Sequence, residues 1–352
     1  MQNHQFLLYG ANGYTGRLIA KMAAAYNLTP VLAGRNEADL KQMAATMQLQ
    51  YKVINLDQTY LLVEALKEHQ LVLHAAGPFQ HTARQMMNAC IAAKAHYLDI
   101  TGEISVFELA KSMDAAAREA GIMLMSGGGF DVVPTDCMAL FLKNQLPDAR
   151  FLKLVFATVG GKLSHGTAMT MAEGMGAGGA VRENGRIVKK PLGHKGIRVN
   201  FGAKDLFAMT IPWGDISTAY TTTGIPNIET YTVVSPKVFR WLKWQGLFNW
   251  LLRTAFARNY YRKKIKRKPA GPDDAARARA RSMVWGEAEN TKGQKATARL
   301  SGPEGYTLTA HSSLIIAAKI ISGNFKPGYQ TPAACYGADL VLEIPGVRRE
   351  LL

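Results

Sequence analysis

A chain of 352 residues, 48% hydrophobic and 19% charged, carries enough apolar content for two domains with their own cores and too much for a disordered chain. Its three cysteines, Cys90, Cys137 and Cys335, form no C-x-x-C pair and no metal-like cluster, which excludes a disulfide scaffold or a zinc module and fits reduced thiols, with no metal. The opening MQNHQFLLYG lacks a basic n-region and a long apolar core, and no uncharged apolar run reaches the ~18 residues of a membrane span, so a cytoplasmic protein is expected.

The formal net charge of +16 is unevenly placed. Residues 1–128 hold 10 basic and 10 acidic residues, leaving 32 basic and 16 acidic for the remainder, and residues 237–268 alone carry 11 Lys/Arg and no acid. A neutral part joined to a basic part points to an anionic ligand or surface for the second.

In chain order, Phe6-Leu7-Leu8-Tyr9 suits a buried parallel strand. Gly10, Gly13 and Gly16 follow at intervals of three, ahead of a helix-favouring segment, 17–26. Gly10 suits the tight turn, Gly13 a close approach of main chain to a pyrophosphate, and Gly16 close packing of helix on strand; the helix N-terminus then faces the phosphates. The alternative is a plain strand–turn–helix corner. The alternation continues with a strand at 30–34, a helix at 37–47, a strand at 51–54 and a helix at 60–68. A strand at 71–76 precedes Gly77-Pro78. Helix 83–94, strand 96–100, helix 106–120 and strand 122–126 complete the first part. Alternating elements with short loops predict a doubly wound α/β domain over 1–128, with ligands at the carboxyl ends of its parallel strands.

At Gly127-Gly128-Gly129 the texture changes. A helix is predicted at 134–146, then strands at 154–159, 197–201, 220–223 and 231–234, with a Gly-rich loop at 173–179. Residues 239–261 read as helical, 273–281 as a helix after Pro269-Ala270-Gly271-Pro272, and 295–301 with 307–311 as a hairpin. A helix at 312–322 and a last one from 331 close the chain.

Arg35 ends the second strand, where an NAD enzyme places an acid for the ribose hydroxyls; an arginine there suits a 2′-phosphate and hence NADP, or is simply exposed. Asp57, ending the third strand, suits the adenine or equally a cap on the next helix. Ala75-Ala76-Gly77-Pro78 ends the fourth strand with small residues that let the nicotinamide end of a cofactor lie against backbone, or forms an ordinary turn.

YGANGYTG (9–16), AAGPF (75–79), YLDITGE (97–103), GFDVVPTD (129–136), WGD (213–215) and TGIPN (223–227) occur in that order. Together they resemble the saccharopine dehydrogenase-like NADP-binding oxidoreductases, in particular the trans-acting enoyl reductase-like subgroup. The resemblance implies a Rossmann domain over 1–128 with 331–352 returning to it as a C-terminal helix, and an inserted α/β domain over 129–330 for substrate and dimerisation. It implies cofactor contacts at Gly10, Ala11, Asn12, Gly13, Tyr14, Thr15, Gly16, Arg35 and Asn36, with Asp57, Ala76, Gly77 and Pro78 at the next strand ends. Asp131 is placed at the cofactor–substrate cleft as a proton donor or acceptor, or as a cap on the following helix; Glu103 is a comparable candidate. His165, in Ser164-His165-Gly166-Thr167, is a third candidate with a structural alternative. Asp215 and Tyr220 fit a substrate pocket or ordinary strand positions.

The implied function is hydride transfer between NADP and a carbonyl, imine or activated alkene in the interdomain cleft, by a homodimer, with the substrate unassigned. The alternative is a cofactor-binding scaffold or a trans-acting reductase partner in a lipid pathway. No G-x-S-x-G or H-E-x-x-H appears, and the single Tyr-x-x-x-Lys, Tyr260 and Lys264, falls in the basic run. There Trp241, Trp244, Phe248, Leu251, Leu252 and Ala255 recur at helical spacing, which suits peripheral contact with a membrane through 237–268, or packing on the protein's own core or a twin subunit. No nucleic-acid recognition fold accompanies the charge.

Overall fold

The computed structural model describes residues 4–174, 176–202, 204–245, 254–267 and 269–352. The chain divides into two compact units, Met1–Val133 with Tyr306–Cys335, and Pro134–Gly305 with Tyr336–Leu352.

The first unit runs β1 (Gln5–Tyr9), α1 (Tyr14–Met22), β2 (Thr29–Gly34), α2 (Glu37–Met47), β3 (Tyr51–Val53), α3 (Thr59–Lys67), β4 (Leu71–His74), α4 (Ala83–Ala93), β5 (His96–Asp99), α5 (Ile104–Ser112), α6 (Asp114–Glu119) and β6 (Met123–Met125). Its seven strands lie in the order Gly328–Gln330, β6, β5, β4, β1, β2, β3, and every neighbouring pair is parallel. Phe6, Leu7 and Leu8 are wholly buried, as a central parallel strand covered on both faces requires. One face packs Leu7, Val31, Val72 and Tyr97 against Leu62, Met86 and Cys90 from the helices. Each such side chain contributes about 1.5–3 kcal/mol on leaving water. The strand order reverses between β1 and β4, the point where such sheets take their ligands.

The second unit opens with α7 (Val133–Gln145), whose first residue is the last of the first unit's opening segment. It continues with β7 (Phe151–Val159), α8 (His165–Glu173), β8 (Gly179–Glu183), β9 (Arg186–Lys190), β10 (Gly196–Asn200), β11 (Asp205–Thr210), α9 (Asp215–Thr223), β12 (Asn227–Val233) and α10 (Pro236–Gln245). Helices Ala255–Lys266 and Asp274–Arg279 and strands β13 (Arg281–Glu289) and β14 (Lys295–Pro303) follow. The nine-stranded mixed sheet runs β10-β11-β12-β7-β13-β14, ends on strand Arg348–Leu351, and carries the β8–β9 hairpin on β12. Helix α7 lies close on this sheet because Gly286 has no side chain: a Cβ there would come within 2.7 Å of Leu142.

Several expectations need correction. The boundary falls at 133/134, not 128/129, and the segment returning to the first unit is Tyr306–Cys335, not 331–352. That segment brings a helix, Gly305–Ile321, and the seventh strand; residues 336–352 finish in the second unit on a strand, and the last helix, Pro332–Tyr336, is one turn long. Residues 220–223 are helical: the threonine hydroxyls that favour a strand donate back along α9, Thr223 Oγ1 to Ala219 O at 2.6 Å. Residues 307–311 lie inside helix Gly305–Ile321, and the hairpin is β13–β14. The helix expected over 239–261 is present as α10 and Ala255–Lys266. Residues 246–253, with Phe248, Leu251 and Leu252 of the apolar face, lie outside the described residues, as do the side chains of Trp244 and Ala255. Among the described residues no helix is long and apolar enough to cross a membrane, and no group of His, Cys, Asp and Glu gathers that could hold a metal.

Candidate functional site

The turn between β1 and α1 is built on three close approaches. Gly10 has φ +83°, and a Cβ there would sit 2.7 Å from Ala76 N, so the turn presses directly on the chain leaving β4. A Cβ on Gly16 would come within 2.4 Å of Gly10 O, so α1 rests on the turn's backbone. A Cβ on Gly13 would meet Gly10 O at 3.2 Å, a milder conflict. Gly13 is also the N-cap of α1 and supplies no side-chain acceptor to the first-turn N–H groups. These donors at the positive end of a helix suit a diphosphate. Ala11 is buried, and Tyr14 sets its ring edge-on against Tyr306 at 5.0 Å.

Beside this turn lies a cavity of about 930 Å³. Of the expected cofactor residues, Gly10, Asn12, Arg35, Asn36 and Ala76 line it. Ala11, Gly13, Tyr14, Thr15, Gly16, Asp57, Gly77 and Pro78 are not among its lining residues. Arg35 and Asn36 are exposed at the tip of β2, and Arg35 forms no ion pair among the described residues. Lys41, on the second turn of α2, lines the same cavity and was not read from the sequence; Glu37 brings one acid against these two cations. The spacing from Arg35, less than two turns along a helix, is the signal that was available. Asn36 caps α2 by accepting from Asp39 N at 3.3 Å, and its Nδ2 donates to Asp39 Oδ2 at 2.8 Å. Asn12 Nδ2 donates to the same Oδ2 at 3.2 Å. Asp39, also unread in the sequence, therefore ties the glycine turn to the tip of β2. Asp57 is exposed and does not cap α3, whose N-cap is Gln58. It stands close to Tyr9, whose hydroxyl donates to Ile54 O at 3.1 Å; burial raises the Tyr9 pKa, Arg35 opposes that and Asp57 adds to it.

At the carboxyl ends of β4, β5 and β6 a buried chain of hydrogen bonds forms. Tyr97 Oη donates to Asp99 Oδ2 at 2.7 Å, which leaves its oxygen to accept from His74 Nδ1 at 3.2 Å. Burial pushes His74 down to about 3, so the ring is neutral. Asp99 Oδ1 accepts from Thr101 N at 3.0 Å and Gly127 N at 2.8 Å; burial raises Asp99 to about 6 against these donors. Asp99 thereby fixes two loops at once, one carrying Glu103 and the other Asp131.

Glu103 follows directly. Its two oxygens accept from Phe79 N and Gln80 N, both at 2.8 Å, which fastens the chain after Ala76-Gly77-Pro78. Asp131 stands two residues before the first helical residue of α7. A Cβ on Gly102 would meet Asp131 Oδ2 at 3.0 Å, so glycine is what lets the two loops close on each other. Burial, and then the charge of Glu103, push the Asp131 carboxyl up to about 7. The Asp131 loop is held from behind, Phe130 N donating to Thr309 Oγ1 at 3.0 Å and Ser312 Oγ to Gly128 O at 2.8 Å. The structure thus groups Asp131 and Glu103 in the first unit. His165 lies in the second, as the first residue of α8, after the N-cap Ser164. Asp215 and Tyr220 lie on α9 rather than on a strand; Asp215 is buried, and Tyr220 carries the Arg182 guanidinium 4.1 Å above its ring.

Residues 6–125 match the family described as the saccharopine dehydrogenase NADP binding domain. The matched stretch holds the glycine turn, the tip of β2 and the switch point of the first unit, so the similarity falls on the candidate cofactor site. The turn, the bare switch point and the paired cations fit that cofactor. The chain also resembles the saccharopine dehydrogenase-like oxidoreductase of Rattus norvegicus, 26% identical over 204 residues, which are 51% of this chain and 48% of that protein. It resembles the trans-acting enoyl reductase of Mycobacterium bovis, 31% identical over 140 residues, 37% of this chain and 33% of that protein. The chain spans about half the length, or less, of the curated relatives it matches. Among solved structures, apo saccharopine dehydrogenase (L-Glu forming) from Saccharomyces cerevisiae has the same fold, with TM-score 0.67, 12% identity and 99% of each chain covered.

Proposed function

We propose that this chain is an NADP-dependent oxidoreductase that moves a hydride between the nicotinamide and a carbonyl, imine or activated alkene. The carrying observation is the cavity at the switch point, where the glycine turn meets Ala76 at one end and Arg35 and Lys41 stand at the other. Both cations suit the 2′-phosphate. Gly10, Gly13 and the first turn of α1 hold the diphosphate. Asp39 keeps Asn12 and Asn36 in place, and Asp57 stands toward the adenine. Ala76, Gly77 and Pro78, fastened through Glu103, support the nicotinamide end. The cofactor supplies the two electrons, as hydride. Asp131, which keeps its proton up to about pH 7, would give that proton to the oxygen, nitrogen or α-carbon next to the carbon that accepts the hydride, and the carboxylate left behind would be reprotonated from solvent.

The test is a titration of NADPH and NADH by fluorescence, followed by NADPH consumption over a panel of acyl and amino-acid carbonyls. Binding of NADPH with turnover of one panel member is expected. Loss of turnover in Asp131→Asn with NADPH binding kept assigns the proton step.

A second reading, an NADP(H)-binding partner of another reductase without turnover of its own, is favoured by one observation. Both oxygens of Glu103 accept from backbone N–H groups, which gives one of the two candidate acids a structural task in place of proton transfer. A complete panel without NADPH consumption, despite tight NADPH binding, selects this reading. We place the chain in the cytoplasm, a reading supported by free cysteines at Cys90, Cys137 and Cys335, and as a homodimer, which sedimentation tests.

A further inference from the structure

The stretch 237–268 carries 11 Lys/Arg and no acid, and its charge is unused by the cofactor site. Helix α10 is fastened to its own sheet by Phe239, whose ring meets Phe207 edge-on at 5.0 Å. A Cβ built on Gly196 would come within 3.2 Å of the same ring. With Phe239 turned inward, Val238 is 45% exposed and Trp241 71% exposed. A spacing of three residues puts these two on one side of the helix. Lys237 and Arg240 are exposed beside them. Helix Ala255–Lys266 repeats the pattern, with Tyr260 59% exposed, its ring edge-on to Tyr261, and Lys263 and Lys264 exposed. Single exposed apolar residues are ordinary. An exposed tryptophan and tyrosine pair set among cations, in a stretch free of carboxylates, is a distinct arrangement.

We propose that α10 and helix Ala255–Lys266 dock peripherally on an anionic lipid bilayer. Trp241 and Val238 enter the headgroup zone, where an amphipathic ring is most stable, and Tyr260 and Tyr261 lie at its level. Lys237, Arg240, Lys263 and Lys264 meet the lipid phosphates. Duplex nucleic acid would use the cations, but its bases are stacked inside the helix and its phosphate surface does not bury Val238 and Trp241 as a bilayer does. The docking surface lies in the second unit, so it holds or fails independently of the reading of the cofactor site.

The experiment is flotation of the full chain with vesicles of phosphatidylcholine alone and of phosphatidylcholine with phosphatidylglycerol, at low and high salt. Flotation with the anionic vesicles alone, reversed by salt, is expected, with a blue shift of tryptophan emission that Trp241→Phe reduces. Lys263→Glu with Lys264→Glu is expected to weaken partitioning by about fivefold or more per residue changed, with an unchanged circular dichroism spectrum and thermal melt as the check on folding. Lys237→Glu with Arg240→Glu is the second variant, on the other helix, should the first fail to fold. Protein left at the bottom of the gradient with anionic vesicles overturns the proposal. So does flotation of the charge-reversed variants equal to wild type, or displacement from vesicles by duplex DNA at an equal concentration of phosphate.

Discussion

Arg35 and Lys41 reach the same cavity from different elements, one from the tip of β2 and one from the second turn of α2. A charge-assisted hydrogen bond contributes about 1.5–3 kcal/mol. Arg35→Ala and Lys41→Ala are therefore each expected to weaken NADPH binding by about 10- to 100-fold while leaving NADH nearly unchanged, measured by fluorescence titration. Equal loss for both nucleotides would remove the phosphate role. Asp131 makes a prediction in pH. Its carboxyl is raised to about 7 in the folded chain, whereas an unfolded aspartate ionises near ~4. Between those values the folded state binds more protons than the unfolded one, so this group lowers stability as pH rises from about 4 to about 7. Asp99, raised to about 6, acts in the same direction. Asp131→Asn is thus expected to raise the melting temperature relative to wild type at pH 8 and to change it little at pH 4. Wild-type turnover that requires the protonated form declines as pH passes about 7. A melting difference that is the same at both pH values would contradict the shift.

At the scale of elements, the glycine turn predicts an order of damage. Gly16→Ala places a methyl 2.4 Å from Gly10 O, and the opposing atom is backbone that has nowhere to go. A cost of about 1–3 kcal/mol is expected, with loss of NADPH binding as α1 is pushed off the turn. Gly13→Ala meets the same oxygen at 3.2 Å and is expected to do less on both counts in a thermal melt and a binding titration. The reverse order would break the packing argument. This corner was legible in the sequence because each glycine answers to a local rule. The parallel strands were legible for a related reason: strands covered on both faces are apolar throughout, as Phe6, Leu7 and Leu8 are. The second unit resisted the same reading. Strand β9 reads Arg-Ile-Val-Lys-Lys and carries its charges on a partly exposed hairpin, so no apolar run marks it. The threonines of α9 favour strand by propensity, yet their hydroxyls find acceptors one turn back and the buried Ile216 and Ala219 decide for helix. Lys41 and Asp39 escaped notice because neither belongs to a motif. Each acts through where α2 happens to point it. The separate standing of His165 and Asp131 in two units was likewise not written in any local pattern.

Across the whole molecule, the two sheets give NADPH a selective effect. A ligand bound by the native first unit alone stabilises that unit by about 2.7 kcal/mol at a hundredfold excess over its dissociation constant. Scanning calorimetry with and without NADPH is expected to raise the transition of the first unit. A melting profile indifferent to NADPH would exclude binding to the native chain. The charge belongs to this scale too, since 1–128 is electrically balanced while the rest carries the whole excess of +16. Diffusional encounter with an anionic partner is then governed by the second unit and slows with salt.

Strand Gly328–Gln330 pairs with β6, although residues Pro134–Gly305 are translated between them. A nascent chain emerging from the ribosome completes the first six strands and then presents a bare row of N–H and C=O groups along β6 until residues 328–330 have been made. Such an unpaired margin invites strand addition from a neighbouring polypeptide. Premature termination anywhere before residue 328 would leave that margin permanently open, so shortened translation products of this gene should be found in inclusion bodies or held by chaperones rather than free.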